Sequence, residues 1–177
     1  MEKVDISYTD YFPEMARWLS TDGVLLVAQG KDGKPNAMTI GWGTVGWIWG
    51  RPVFVVLVRP SRHTYGLIEE AGDFTVNVAP RALRGALEIC GTISGRDHDK
   101  FREQGLTPVA SRKISSPIIQ QCVIHYECKV VQKTDVNAAA FLPEITETYY
   151  PKDDFHRIYF GEIVAAYADS DASEKLA

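Results

Sequence analysis

Asn36-Ala37-Met38-Thr39-Ile40-Gly41-Trp42-Gly43-Thr44-Val45-Gly46-Trp47-Ile48-Trp49-Gly50-Arg51-Pro52 is the stretch on which the fold turns. Its centre, Gly41 to Gly46, satisfies the G-x-G-x-x-G spacing of a dinucleotide-binding turn. Such a turn needs a helix directly after it, whose N-terminus holds the pyrophosphate, and an acidic residue about twenty positions on for the ribose. Neither is present. Gly50 and Pro52 oppose a helix, so the segment reads as β structure and not as the phosphate turn of a doubly wound sheet.

The flanking sequence agrees. Upstream, Val24–Ala28 is a β run, and Asp32-Gly33 marks a hairpin turn into the strand Asn36–Trp42. Downstream, Pro52 opens Val53–Val58, whose unbroken apolarity predicts burial on both faces. A helix is predicted over Thr64–Ala71 with Gly72 as its stop, then a strand over Phe74–Val78 and a helix over Pro80–Cys90. A short helix over Asp97–Gln104 is expected to be capped by Asp97 and ended by Gly105. In Val123–Lys133, Ile124, Tyr126, Cys128 and Val130 alternate with His125, Glu127 and Lys129, which predicts one buried face. Ile158–Tyr167 is the last strand, and Asn137–Asp154 forms a long acidic and aromatic connection. Many strands with few, short helices favour a closed or nearly closed β-barrel. No composition shift divides the chain: residues 1–177 read as one domain with a core over about 20–168, and 169–177 are expected to fray.

Bulk properties narrow the function. The 177 residues are 45% hydrophobic and 24% charged with net charge −4, an ordinary globular composition without the basic footprint that nucleic acid requires. The longest apolar run, Val53–Val58, is far short of a membrane span, and the first residues show no apolar leader core. Cys90, Cys122 and Cys128 are odd in number without C-x-x-C spacing, which fits reduced, buried thiols in a cytoplasmic protein. His63, His98 and His125 lack ligand spacing, so no metal site is expected. No nucleophile elbow or triad order suggests acyl transfer or hydrolysis.

Several segments in order carry a resemblance. Asn36–Trp42, Arg59-Pro60-Ser61-Arg62-His63-Thr64 and Phe74-Thr75-Val76-Asn77 come first. Ser94–Phe101, Gly105-Leu106-Thr107-Pro108, Tyr126–Val131 and His156–Val164 complete the set. Together, from about Val24 to Tyr167, they resemble the flavin reductase-like, FMN-binding split-barrel family, and within it the flavoredoxin branch. The Trp-rich stretch 42–49 is less typical. The resemblance implies a mainly β fold with short helices, a Greek-key split β-barrel. It also implies a homodimer with FMN near the subunit interface, taking electrons from NADH or NADPH or from a redox partner protein.

The residues suit such a ligand. Arg59, Ser61, Arg62 and Thr64 place two guanidiniums and two hydroxyls just before a helix, where free N–H groups and the dipole favour a phosphate; an N-cap with solvated arginines is the plain alternative. Ser94, Arg96 and Lys100 form a second candidate phosphate contact, or a solvated helix start. The backbone of Met38, Thr39, Ile40, Gly41 and Trp42 can match a ring's polar edge, with Gly41 allowing close approach and Trp42 stacking on the ring or packing in a core or dimer interface. Asn77, a polar amide in an apolar strand, needs a partner, either the flavin or a neighbouring strand. For His156 the resemblance implies a place near the ring and the nicotinamide. The functions this leaves are an NAD(P)H-dependent flavin oxidoreductase or an FMN electron carrier reduced by a partner protein. A domain that has lost its flavin is disfavoured by the intact 59–64 loop. The carboxylates Glu144, Glu147, Asp153 and Asp154 would repel a pyridine nucleotide if they faced inward.

Overall fold

The computed structural model describes residues 3–176. The first half carries β1 (Lys3–Asp5), α1 (Phe12–Ser20), β2 (Val24–Gln29), β3 (Pro35–Ile40), β4 (Gly43–Ile48), β5 (Arg51–Val58), α2 (His63–Ala71) and β6 (Asp73–Val78). The second carries α3 (Arg84–Thr92), α4 (Lys100–Glu103), β7 (Pro108–Val109), β8 (Ile118–Ile119), β9 (Ile124–Asp135), α5 (Pro143–Tyr149), β10 (Arg157–Asp169) and α6 (Ala172–Leu176).

The main sheet is antiparallel throughout, in the order β3-β2-β6-β9-β10-β5-β4, with β1 added beside β10. The strands nearest in sequence at its two ends, β3 and β4, are joined by Gly41 and Trp42 alone and do not pair among the described residues. The sheet is thus a split barrel, opened at the stretch whose glycine spacing mimics a dinucleotide turn. Where a dinucleotide fold would place a helix, this chain forms the β4–β5 hairpin. Its turn residues Trp49 and Gly50 both have positive φ, 52° and 73°, the backbone of a two-residue primed turn.

Alternating side chains fill the interior: Phe54, Phe74, Tyr126 and Tyr159 are fully buried, and β5 is buried on both faces as its apolar run predicts. Gly161, at a register shift between β9 and β10, sits against the Phe74 ring; a Cβ there would lie 2.5 Å from Phe74 Cζ and 2.8 Å from Cys128 Cβ.

Four expectations are corrected. The β9 strand is buried on both faces over Ile124–Cys128, because the loop at 112–116 covers its outer side. There Glu127 accepts the Arg112 and Lys113 amides at 2.7 Å each and the Tyr167 hydroxyl at 2.7 Å. The cap of α4 is Asp99, not Asp97, since its carboxylate accepts Arg102 N at 3.1 Å. The core reaches past residues 20 and 168, for Met15 and Trp18 of α1 and Ala172 and Leu176 of α6 belong to the same apolar cluster. Residues 169–176 do not fray: Asp169 is buried and paired with Lys3 and Lys175, and Arg17 donates to the Leu176 carbonyl. Ala177 lies outside the described residues. The three cysteines are free and buried as expected, and burial pushes each thiol above its ordinary range. No described helix is long and apolar enough to cross a membrane.

Candidate functional site

Two adjoining cavities open at the split. The first, about 200 Å³, is lined by Met38, Thr39, Ile40, Gly41, Trp42, Leu57, Arg59, Arg62 and His156. The second, about 180 Å³, runs under the start of α2 and is lined by Asn36, Met38, Ser61–Thr64, Cys90, Gly91, Ile93–Arg96 and Lys100. Met38 and Arg62 belong to both, so the two form one cleft whose size suits a small-molecule site. Beyond the second lies a wider cavity of about 520 Å³ that shares Asn36, His63, Gly95, Arg96 and Lys100 with it.

Each end has its own chemistry. Helix α2 starts at His63 with extended Arg62 as its N-cap and no side-chain capping bond. Tyr65 N donates to Arg62 O at 3.1 Å, and the N–H groups of His63 and Thr64, which line the second cavity, are left unclaimed among the described residues. Thr64 is buried, and its oxygen accepts Asn36 Nδ2 at 2.8 Å. The Ser94 oxygen accepts the Arg96 amide at 3.2 Å, and Arg96 donates to Ser61 O at 2.9 Å, which folds the 94–96 loop against the 59–64 loop. Arg62 is exposed, and its guanidinium has no hydrogen-bond or ion-pair partner among the described residues.

The other cations are already engaged. Arg59 donates to Asp154 O at 2.7 Å and Tyr149 O at 2.8 Å, with its guanidinium 5.0 Å from the Tyr150 ring centroid. It ties the 149–154 segment to the barrel. Ser61 adds a bond to the Asp154 carboxylate at 2.5 Å. Lys100, 3% exposed, donates to Ala37 O at 3.0 Å and Cys90 O at 2.9 Å, holding β3 to α3. Burial pulls its ammonium below the usual lysine range.

The end formed by the first cavity is aromatic. Trp42 contacts Tyr149, Tyr150 and His156 with centroids at 5.1, 6.5 and 4.9 Å. His156 is buried and meets the Tyr150 hydroxyl through Nδ1 at 2.8 Å. Burial first, then Arg59 and Arg62, push its pKa down to about 4 against the opposing pull of Asp154, so the imidazole is neutral near pH 7. Thr39 spends its hydroxyl on Leu87 O.

The structure brings Met38–Trp42, Arg59, Ser61, Arg62, Thr64, Ser94, Lys100 and His156 to this one cleft. Asn77 is the correction. It is fully buried in β6 and lines neither cavity, and its amide is satisfied within the core. Nδ2 donates to Thr75 Oγ1 and Leu25 O, while Oδ1 meets Ile119 N and His125 Nδ1 at 3.1 and 2.8 Å. Among the described residues no cluster of side chains could hold a metal ion. Asn36 and Leu57 also line the cleft, and neither is a candidate on sequence grounds. Asn36 had a readable signal, a polar residue at a strand start; Leu57 had none, since an apolar residue in an apolar strand does not show which face it serves.

The family model described as the flavin reductase like domain matches residues 15–177. The chain belongs to that family. An uncharacterized protein of Archaeoglobus fulgidus is 35% identical over 102 residues, covering 58% of this chain and 57% of that one. The chain therefore matches less than two thirds of that relative's length. A flavoredoxin from Methanosarcina acetivorans superposes with a TM-score of 0.65 at 26% identity, covering 97% of this chain and 77% of that one. A structure from Shewanella baltica, described as an FMN-binding domain of a flavin reductases-like enzyme, superposes at 0.68 with 19% identity, covering 96% and 78%; at that identity the likeness speaks for the split-barrel fold alone.

Proposed function

We propose that the cleft binds FMN and that the protein is an NAD(P)H-dependent flavin oxidoreductase. The observation that carries this reading is Arg62: an unpartnered guanidinium beside an uncapped helix start, shared by the two cavities. A phosphate there meets free backbone N–H groups and a planar cationic fork, with the hydroxyls of Thr64 and Ser94 alongside; that of Ser61 is bonded to Asp154. The second cavity is small, which suits one phosphate. The flat, polar-edged ring belongs against Met38–Trp42, where Gly41 keeps the backbone open and Trp42 supplies an aromatic wall. When bound, FMN supplies a ring that accepts a hydride and passes electrons on; the chain orients it and keeps water away. His156, neutral near pH 7, lines this end and would lie beside an approaching nicotinamide.

The carboxylates that would hinder that approach point elsewhere. Glu144, Glu147 and Asp153 are exposed and line neither cavity, and Asp154 is bonded to Ser61. The same exposed acids favour a second reading, an FMN carrier that docks a basic redox protein. Anaerobic stopped-flow mixing separates the two. Rapid bleaching of the bound flavin by NADH or NADPH supports the reductase; no bleaching by either, with reduction by a reduced iron–sulfur protein, replaces it with the carrier.

We also propose a homodimer in the cytoplasm. Trp42, Trp47 and Trp49 are 38%, 63% and 60% exposed along the open edge of the sheet, apolar surface that suits a subunit contact, and the buried free thiols fit a reducing compartment. Light scattering that gives a monomer at micromolar concentration contradicts the dimer.

A further inference from the structure

We propose that Tyr150 is a positioning residue that holds His156 in the neutral Nε2–H tautomer, so that the imidazole presents a hydrogen-bond donor to the ligand of the ring cavity. The identity of that ligand rests on the FMN reading; the pairing does not.

The Tyr150 hydroxyl and His156 Nδ1 are 2.8 Å apart, and the two residues are 3% and 8% exposed. Among the described residues neither group has another hydrogen-bond partner, nor does Nε2 of His156. Two proton arrangements fit the distance. If Nδ1 carried the proton and donated to the phenol oxygen, the phenol O–H would be left buried without an acceptor, a costly state. If the phenol donates to Nδ1, both groups are satisfied and the remaining ring proton sits on Nε2. Phenol is also the stronger donor of the two and the unprotonated imidazole nitrogen the stronger acceptor.

The pair is braced on every side. The Tyr150 ring stacks on Phe155 with centroids 4.7 Å apart, and Arg59 lies over its face. Trp42 packs on the His156 ring at 4.9 Å. The imidazole therefore has one orientation, and its N–H is offered to whatever fills the cavity lined by Met38–Trp42. A donor there selects ligand atoms that accept, such as ring carbonyl oxygens and pyridine-type nitrogens. Burial, with Arg59 and Arg62 and against the opposing pull of Asp154, keeps the ring uncharged, which preserves its acceptor nitrogen for Tyr150. The bond spans six residues across the turn between α5 and β10, so no periodicity announces it.

The test is a long-range 1H–15N spectrum of protein labelled at histidine nitrogen, recorded near pH 7 before and after adding FMN. The expected result for His156 is a pyridine-type Nδ1 and a pyrrole-type Nε2. In Tyr150→Phe, which keeps the stacking ring, both resonances should move toward the average of two tautomers. FMN affinity should fall by about three- to tenfold, the equivalent of one neutral hydrogen bond. A pyrrole-type Nδ1 in the wild-type protein, or a Tyr150→Phe spectrum identical to wild type, overturns the proposal. Wild-type protein alone decides the tautomer if the variant does not fold. The expected tautomer in a protein that FMN titration shows not to bind flavin refutes the flavin reading and leaves the pairing standing.

Discussion

Arg59 donates to the main-chain oxygen of Asp154 at 2.7 Å, across 95 residues of sequence. The bond joins the end of β5 to the segment that carries Tyr149, Tyr150 and His156, and so it shapes the aromatic end of the cleft from outside. Arg59→Ala should remove two charge-assisted bonds and loosen residues 149–156. The expected loss is about 2 kcal/mol of stability, with faster amide exchange confined to that segment. Hydrogen-exchange mass spectrometry checks this; unchanged protection over 149–156 would mean that the aromatic packing alone holds it.

Arg62→Ala should leave the fold intact and weaken FMN binding by about ten- to a hundredfold, the value of a lost charge-assisted phosphate contact of roughly 1.5–3 kcal/mol. Its guanidinium has no structural partner to lose. Fluorescence titration measures the affinity and thermal unfolding the stability. An unchanged dissociation constant would leave Arg62 as a solvated surface residue.

Acid should destabilise the protein early. His125 and His156 have pKa values pushed down to about 3 and about 4. In the unfolded chain both titrate near 6.5. Below that value the unfolded state takes up protons that the native state refuses, so stability is full above about pH 6.5 and falls as the pH drops toward the native pKa values. The two together should remove about 2–4 kcal/mol between pH 7 and pH 5. Urea unfolding at the two pH values measures the difference, and His156→Asn should reduce it by about half. Equal stability at both would contradict the burial of these rings as neutral groups.

Gly161→Ala should be destabilising by about 1–3 kcal/mol. Its added Cβ meets the Phe74 ring and Cys128 Cβ, both in the closed interior, and neither can move without disturbing the β9–β10 register. Calorimetry should show a drop of several degrees in Tm. A wild-type Tm would show that the core at this bulge has room to spare.

Local chemistry made much of this legible. The apolar run Val53–Val58, the Asp32-Gly33 turn and the Gly72 stop each act over a few residues, and each produced the element expected. The cleft was legible because β3, the 59–64 loop and the start of β10 carry its chemistry in short segments. What stayed hidden depends on partners far away in sequence. The outer face of β9 is buried because Arg112 and Lys113 reach Glu127, and Asn77 is satisfied by residues 25, 75, 119 and 125. Helix α1 had a local signal, Pro13 in its first turn with Met15, Trp18 and Leu19 on one face, but its burial becomes plain only once the split barrel supplies a surface to cover.

The central claim is that this cleft holds FMN, and a titration of flavin-free protein with FMN tests it most directly. The account predicts saturable binding of one FMN per chain, with quenched flavin fluorescence, weaker binding of riboflavin, which lacks the phosphate, and a tenfold or greater loss of FMN affinity in Arg62→Ala by the same phosphate argument. Absence of binding, or riboflavin bound as tightly as FMN, would contradict it.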